Sequence, residues 1–215
     1  MKAQIKEKLA QGFRCIKMKI GAIDFEEEYR ILKALRNEFS ASDIEIRVDA
    51  NGAFQANEAL RYLERLATLQ LHSIEQPISA GQWEAMAELC EQTPLPIALD
   101  EELIGVFTRE EKQRLLREIQ PQYIILKPSL IGGYSGSEEW ITLAETLGIG
   151  WWVTSALESN IGLNAIAQWT YTLRNPMPQG LGTGTLYTNN IPFPLYVENG
   201  HLGFNPCERV TFPFS

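Results

Sequence analysis

Histidine and cysteine are scarce in this chain, and their scarcity removes several chemistries at once. With only His72 and His201 available, no Ser-His-Asp triad can be assembled. His72 has the opposite strand parity to Glu75 and is expected to pack toward the helices, while His201 lies in the tail, so both read as structural. The three cysteines, Cys15, Cys90 and Cys207, follow no metal-ligand spacing and read as reduced thiols in a cytoplasmic setting. No apolar run approaches the roughly 20 residues of a membrane helix, and residues 1–12, "MKAQIKEKLAQG", lack the apolar centre of an export signal. Basic residues are outnumbered as well. Nineteen Lys and Arg against 27 Asp and Glu give a formal net charge of −8, which argues against nucleic acid or an anionic membrane as a partner.

What is there is a repeat. The 215 residues, 45% hydrophobic, suit one domain or a large piece of one. Short apolar runs alternate with longer amphipathic ones: "CIKMKI" precedes "DFEEEYRILKALRNEF", "EIRVDA" precedes "NEALRYLERLATL", and the pattern continues through "LHSIEQ", "PIALDEE", "YIILKP" and "WWVTSA" to a last strand expected at "QGLGTGT". Helical segments carry apolar residues at three and four spacing, such as Tyr29, Leu32, Leu35 and Phe39. These are βα units, with no low-complexity segment between them. Residues 1–190 read as one α/β architecture with a parallel sheet, and residues 191–215 as an irregular tail rich in Pro and Phe.

Each strand ends on a polar residue: Lys19, Asp49, Glu75, Asp100, Lys127 and Ser155, roughly 25 to 30 residues apart, in step with the βα repeat. In a (β/α) barrel all strand ends open on one face, where catalytic groups collect. A doubly wound sheet binds ligands mainly at one switch point instead. Six successive polar strand ends therefore favour the TIM-like barrel. Lys17 and Lys19 share one face of their strand, and because both faces of a parallel barrel strand are covered, two inward ammonium groups must meet something anionic.

Asp49, Glu75 and Asp100 come from three consecutive strands, and three carboxylates brought together repel unless a cation neutralises them. All-oxygen ligation suits Mg²⁺ or Mn²⁺ better than Zn²⁺, with Mg²⁺ expected. Lys19 and Lys127 flank the acids in strand order and would face each other across the metal. A lysine serves as a general base only if its pKa is drawn toward neutral, and Lys17 is the cationic neighbour expected to do this for Lys19. Proton abstraction α to a carboxylate is the reaction class that follows. "GLGTGT", residues 180 to 185, offers either a phosphate cradle or backbone clearance for a substrate.

The segments "IKMKIG", "RVDANGAF", "IEQPI", "ALDEEL", "ILKPSLIGG" and "SALESNIGL", in this order over residues 13 to about 190, resemble the enolase superfamily, in its branch with a K-x-K motif and an opposing lysine. The resemblance implies that Asp49, Glu75 and Asp100 bind Mg²⁺ and that Lys19 takes the α-proton of a small-molecule carboxylate and then protonates a departing hydroxyl. Lys127 would stabilise the intermediate from the other face, and Lys17 would tune Lys19. Ser155, Glu158, Ser159 and Asn160 would help form the substrate pocket, and Asn51 would be a hydrogen-bond partner of the site. A racemase or epimerase of the same branch would use Lys19 and Lys127 as a two-sided acid/base pair. A non-catalytic barrel remnant is the rival from another class, and a Schiff-base aldolase built on Lys127 would leave the three acids without a purpose. Members of the superfamily carry a capping domain before the barrel. The chain is therefore expected to be incomplete at its N-terminus, to lack that cap and the first strand, to place its tail on the barrel or cap, and to self-associate through exposed barrel edges.

Overall fold

The computed structural model describes residues 2–182, 187–191 and 194–208. The six expected apolar runs become β1 (Cys15–Lys19), β2 (Glu45–Asp49), β3 (Ser73–Glu75), β4 (Ile97–Leu99), β5 (Tyr123–Leu126) and β6 (Gly150–Val153), paired in sequence order in one sheet. Every pairing is parallel. Helix α1 (Lys2–Ala10) precedes the sheet. Each strand is then followed by a helix: α2 (Phe25–Glu38), α3 (Ala56–Ala67), α4 (Trp83–Gln92), α5 (Arg109–Ile119), α6 (Gly133–Thr146) and α7 (Asn160–Thr172). Among the described residues no helix is long and apolar enough to cross a membrane.

Local chemistry sets where the helices begin. Asp24 caps α2 by accepting the Glu26 and Glu27 N–H groups at 3.0 and 3.3 Å, and Thr108 and Glu111 form a capping box on α5, satisfying donors that the first helical turn leaves open. Glu28, buried in the first turns of α2, reaches back so that its carboxylate accepts the N–H groups of Gly21, Ala22 and Ile23. The loop after β1 is thereby tied to the helix that follows it.

Strand alternation divides the side chains into two populations. Ile16, Met18, Ile46, Val48, Ile74, Ile97, Leu99, Ile124, Leu126 and Val153 point to the helices and form one continuous core with Leu32, Leu63, Leu115 and Trp140. The other face carries Lys17, Lys19, Arg47, Asp49, Glu75, Ala98, Ile125 and Trp152. Its apolar part is a small separate cluster of Ala98, Ile125 and Trp152, joined by Tyr123 and Met177.

Three sequence expectations need correction or completion. His72 does not pack toward the helices: its ring lies against Tyr123 and Trp152, with centroids 4.9 and 5.9 Å away, on the floor of the inner face. It stands one residue before β3, where strand parity does not yet apply. Burial lowers its pKa below the ordinary value, with Glu45 opposing and Arg47 adding to that shift. Among the described residues the last expected strand is represented by a parallel bridge between Thr154 and Gly180. A Cβ at Gly180 would sit 2.6 Å from Thr154 Oγ1, so only glycine allows that approach. Thr183 to Thr185 of "GLGTGT" lie outside the described residues.

The third concerns the region read as an irregular tail, which contains an antiparallel hairpin, β7 (Leu195–Glu198) and β8 (His201–Phe204). Asn199 and Gly200 make its turn with φ of 50° and 73°, the left-handed pair that two-residue hairpins favour. That turn closes on the loop before β1, where a Cβ on Gly12 would lie 2.5 Å from the Asn199 carbonyl carbon.

Candidate active site

Register brings the strand ends together. Lys19 pairs with Asp49 across β1 and β2, and Asp49 pairs with Glu75 across β2 and β3. Asp100 and Lys127 follow the last residues of β4 and β5. Lys17 Nζ lies 2.8 Å from both Asp49 Oδ2 and Glu75 Oε2, and Lys19 Nζ lies 2.8 Å from the same Asp49 oxygen. Lys19 also donates to Asn51 Oδ1, and Lys127 is paired with Asp100. The two lysines of K-x-K thus meet anions, as their inward placement requires, and Lys127 lies beyond the carboxylates in sheet order. The Lys19 side chain is 66% exposed, open to a ligand arriving from solvent, whereas the three carboxylates are buried.

Burial dominates the electrostatics. It pushes the Glu75 carboxyl up to about 8, with Lys17 opposing and the Asp49 and Asp100 charges adding to the rise. At Asp49 burial acts in the same sense but is outweighed by Lys17 and Lys19, which hold its pKa below the usual carboxylate range. Lys17 loses ammonium stability to burial, yet Glu75 and Asp49 more than restore it and keep its pKa above the ordinary lysine value.

The donor set fits a hard divalent cation. Three carboxylates from adjacent strands feel one another's charge, the oxygens are all of one hard type, and among the described residues buried Glu75 Oε1 has no hydrogen-bond partner, which leaves a buried acceptor oxygen to be satisfied. Among the described residues no three Asp, Glu, His or Cys side chains already converge as ligands, because each carboxylate is turned onto a lysine ammonium. Asn51 sits beside the site as expected. Its N–H donates to Asp49 Oδ1 at 3.0 Å and its side-chain N–H to Glu101 Oε1 at 2.9 Å.

The loop after β6 is less uniform. Glu158 accepts from Ser129 Oγ at 2.6 Å and from the Ala156 N–H at 2.8 Å. Asn160 donates its backbone N–H to Asn190 and its side-chain N–H to the Ile191 carbonyl. Both side chains are engaged in shaping the loop. Ser155 and Ser159 make no hydroxyl hydrogen bond among the described residues, so of the four they are the freer to meet a ligand.

Sequence reasoning passed over Gln76, which follows Glu75 directly. It is fully buried, has φ of 38°, and bonds to the backbone of Asp100 and to Glu102. A neutral amide adds nothing to a charge pattern, so only its place in "IEQP" marked it. Arg47, on the same face as Asp49, was also unassigned. It donates to Glu45 Oε1 at 2.7 Å and to the Pro178 carbonyl at 3.0 Å, and it stacks over Trp152 at 4.0 Å.

A six-strand parallel sheet whose successive ends carry K-x-K, three acids and a further lysine defines a class, and the sequence agrees with it: residues 1–206 match the family described as enolase C-terminal domain-like, to which the chain belongs. Within it, the chain is 58% identical over 203 residues to the o-succinylbenzoate synthase of Desulfotalea psychrophila, covering 94% of this chain and 55% of that protein. The crystal structure of MenC from the same organism superposes with a TM-score of 0.90 at 56% identity, covering 94% of this chain and 56% of that one. More distant are the L-Ala-D/L-Glu epimerase of Bacillus subtilis, 28% identical over 177 residues, covering 81% of this chain and 47% of the relative, and the muconate lactonizing enzyme of Pseudomonas putida, with a TM-score of 0.84 at 28% identity, covering 93% and 56%. The chain spans about half the length of the relatives it matches.

Proposed function

We propose that the protein serves as a cytoplasmic o-succinylbenzoate synthase, a lyase that eliminates water from 2-succinyl-6-hydroxy-2,4-cyclohexadiene-1-carboxylate in menaquinone biosynthesis. The observation that carries this reading is the meeting of Lys17 and Lys19 on one oxygen of Asp49, beside Glu75 and in the same sheet as the Asp100–Lys127 pair. It supports a role for Lys19 as a proton carrier beside a set of hard oxygen donors. The likeness to the synthase supports the substrate.

Held by Asp49, Glu75 and Asp100, Mg²⁺ or Mn²⁺ would supply positive charge to the substrate carboxylate as negative charge builds there. The chain's own residues do the proton work. Lys19, as the free amine, takes the proton from the carbon next to the carboxylate and becomes an ammonium. It then gives that proton to the departing hydroxyl on the same face of the ring, so water leaves and the amine is restored. Lys17, held cationic by Asp49 and Glu75, supplies charge beside it. Lys127 approaches the other face and stabilises the anionic intermediate. Ser155 and Ser159, with Glu158 and Asn160, would help form the pocket for the succinyl side of the substrate.

A second reading is favoured by the position of Lys127 across the carboxylates from Lys19. With one lysine on each face, the same site could move a proton between faces, as a racemase of N-succinyl amino acids or a dipeptide epimerase does. Specificity constants for dehydration and for racemisation, measured with Mg²⁺ titrated in, separate the two. Faster dehydration is expected, and a preference for racemisation moves the assignment. Neither reaction, together with no cation binding, leaves a non-catalytic barrel.

A further inference from the structure

Asp100 lies beyond the strand ladder that should hold it. The last registered pair between β3 and β4 is Glu75 with Ala98, so no ladder hydrogen bond fixes Asp100 relative to Glu75. One side chain does so instead. Gln76 Oε1 accepts the N–H groups of Asp100 at 3.2 Å and Glu102 at 3.3 Å, and its Nε2 donates to the Ile78 carbonyl and to Glu102 Oε2, both at 3.0 Å. The other Glu102 oxygen accepts the Gly81 N–H at 2.7 Å. The Gln76 amide makes four hydrogen bonds, the full set its two lone pairs and two protons allow, and both side chains are buried. Gln76 is covalently joined to Glu75 on one side and hydrogen-bonded to the Asp100 backbone on the other. The Gln76 N–H also donates to the Ala98 carbonyl at 2.9 Å, and beyond that bond its satisfied amide bridges the backbone that carries Glu75 to the backbone that carries Asp100.

We propose that Gln76 and Glu102 are positioning residues that fix the Glu75–Asp100 spacing and so make the site select a small divalent cation over a large one. The inference rests on the metal-binding reading given above. Mg²⁺ requires a near-ideal octahedron with oxygens at about 2.0–2.1 Å, whereas Ca²⁺ accepts about 2.3–2.6 Å and irregular geometry. A rigid spacing favours the first, and a loosened one penalises the first more than the second. Outer groups that orient ligands commonly change metal affinity by about 10- to 100-fold when removed.

The test is calorimetric titration of Mg²⁺ and, separately, Ca²⁺ into the wild type, Gln76→Leu and Glu102→Gln, with thermal unfolding measured alongside. Gln76→Leu should weaken Mg²⁺ binding by about tenfold or more and Ca²⁺ binding by less than about threefold, on the scale seen for orienting groups. Glu102→Gln keeps an oxygen for the Gly81 N–H while weakening the bond to Gln76, and should shift the Mg²⁺ to Ca²⁺ ratio in the same direction by less. It decides the matter if Gln76→Leu does not fold. A purely structural role would lower the unfolding temperature and leave the ratio where it was, and that result overturns the proposal. If the wild type binds neither cation, the metal reading falls and this inference with it. If the wild type binds Mg²⁺ and the variants keep its ratio, only the positioning role is lost.

Discussion

Replacing Arg47 with Met tests whether the floor of the inner face is held by its guanidinium or only by apolar packing. The side chain is 5% exposed, and a Met of similar reach preserves much of its stem. The variant loses the hydrogen-bonded ion pair to Glu45, about 1.5–3 kcal/mol for a bond to a charged group. It also loses the bond to the Pro178 carbonyl, about 1 kcal/mol, and the stack on Trp152, about 1 kcal/mol. Against this, Arg47 Nη2 is buried without a partner among the described residues, and removing it returns about 1–3 kcal/mol of desolvation cost. The net expectation is a loss of about 2 kcal/mol, from the central values of those terms. Urea unfolding followed by tryptophan fluorescence measures it as a lower midpoint at unchanged slope. Arg47→Lys should not restore stability, because an ammonium cannot stack flat on Trp152 while serving two acceptors. A midpoint indistinguishable from wild type in Arg47→Met would refute the argument and leave Trp152, Tyr123 and His72 as a self-sufficient floor.

Lys19→Ala should lower the rate of dehydration by more than about 10²-fold, as expected for a positioned general base, and turnover close to wild type would remove Lys19 as the proton carrier. Burial pushes the Cys15 and Cys90 thiols up to about 12, so at pH 8 both stay protonated and unreactive, while Cys207 is exposed. Reaction with a thiol reagent at pH 8 should therefore show one fast site and two slow ones, and three equal rates would contradict the burial. In Glu28→Gln one of the two acceptor oxygens facing Gly21, Ala22 and Ile23 becomes an amide that cannot accept. Hydrogen exchange at those three amides should quicken while the strand amides of Ile16 and Met18 keep their protection, and unchanged exchange would show that the loop is held by other means.

The parts of this molecule legible in the sequence are those where chemistry follows a period. Alternation in "CIKMK" and "EIRVD" alone puts Lys17 and Lys19 on one face of their strand and Asp49 on the matching face of the next, since strand geometry leaves no other choice. The repeat length put Glu75, Asp100 and Lys127 at successive strand ends for the same reason. What escaped lies where period gives way to particular contacts. His72 stands just outside its strand, so its direction is set by the rings it meets. The hairpin at 195–204 was signalled by Asn199-Gly200 within "VENGHL", but its flanking runs are short and none of their residues is buried, so no apolar pattern marked them as strands. Gln76 carries no charge, and its meaning emerges only when two chain segments lie side by side. Glu158 and Asn160 were expected to help form the substrate pocket, and the bonds they also make to Ser129, Asn190 and Ile191 are ones that sequence distance conceals.

The division of the strands into an outward side that forms the main core and an inward side that carries the lysines and carboxylates has a consequence for descent. Ile46, Val48, Ile74, Leu99, Ile124 and Leu126 belong to the core that keeps the chain folded, and none of them faces the lysines and carboxylates. A lineage can therefore alter the inward residues, or the loops that continue them, while most of the apolar burial that sustains folding stays untouched. Inheritance then acts on two nearly separate texts written on alternate letters of the same strands. One changes slowly because misreading it unfolds the protein, and the other is free to drift toward a new reaction at little risk to the first.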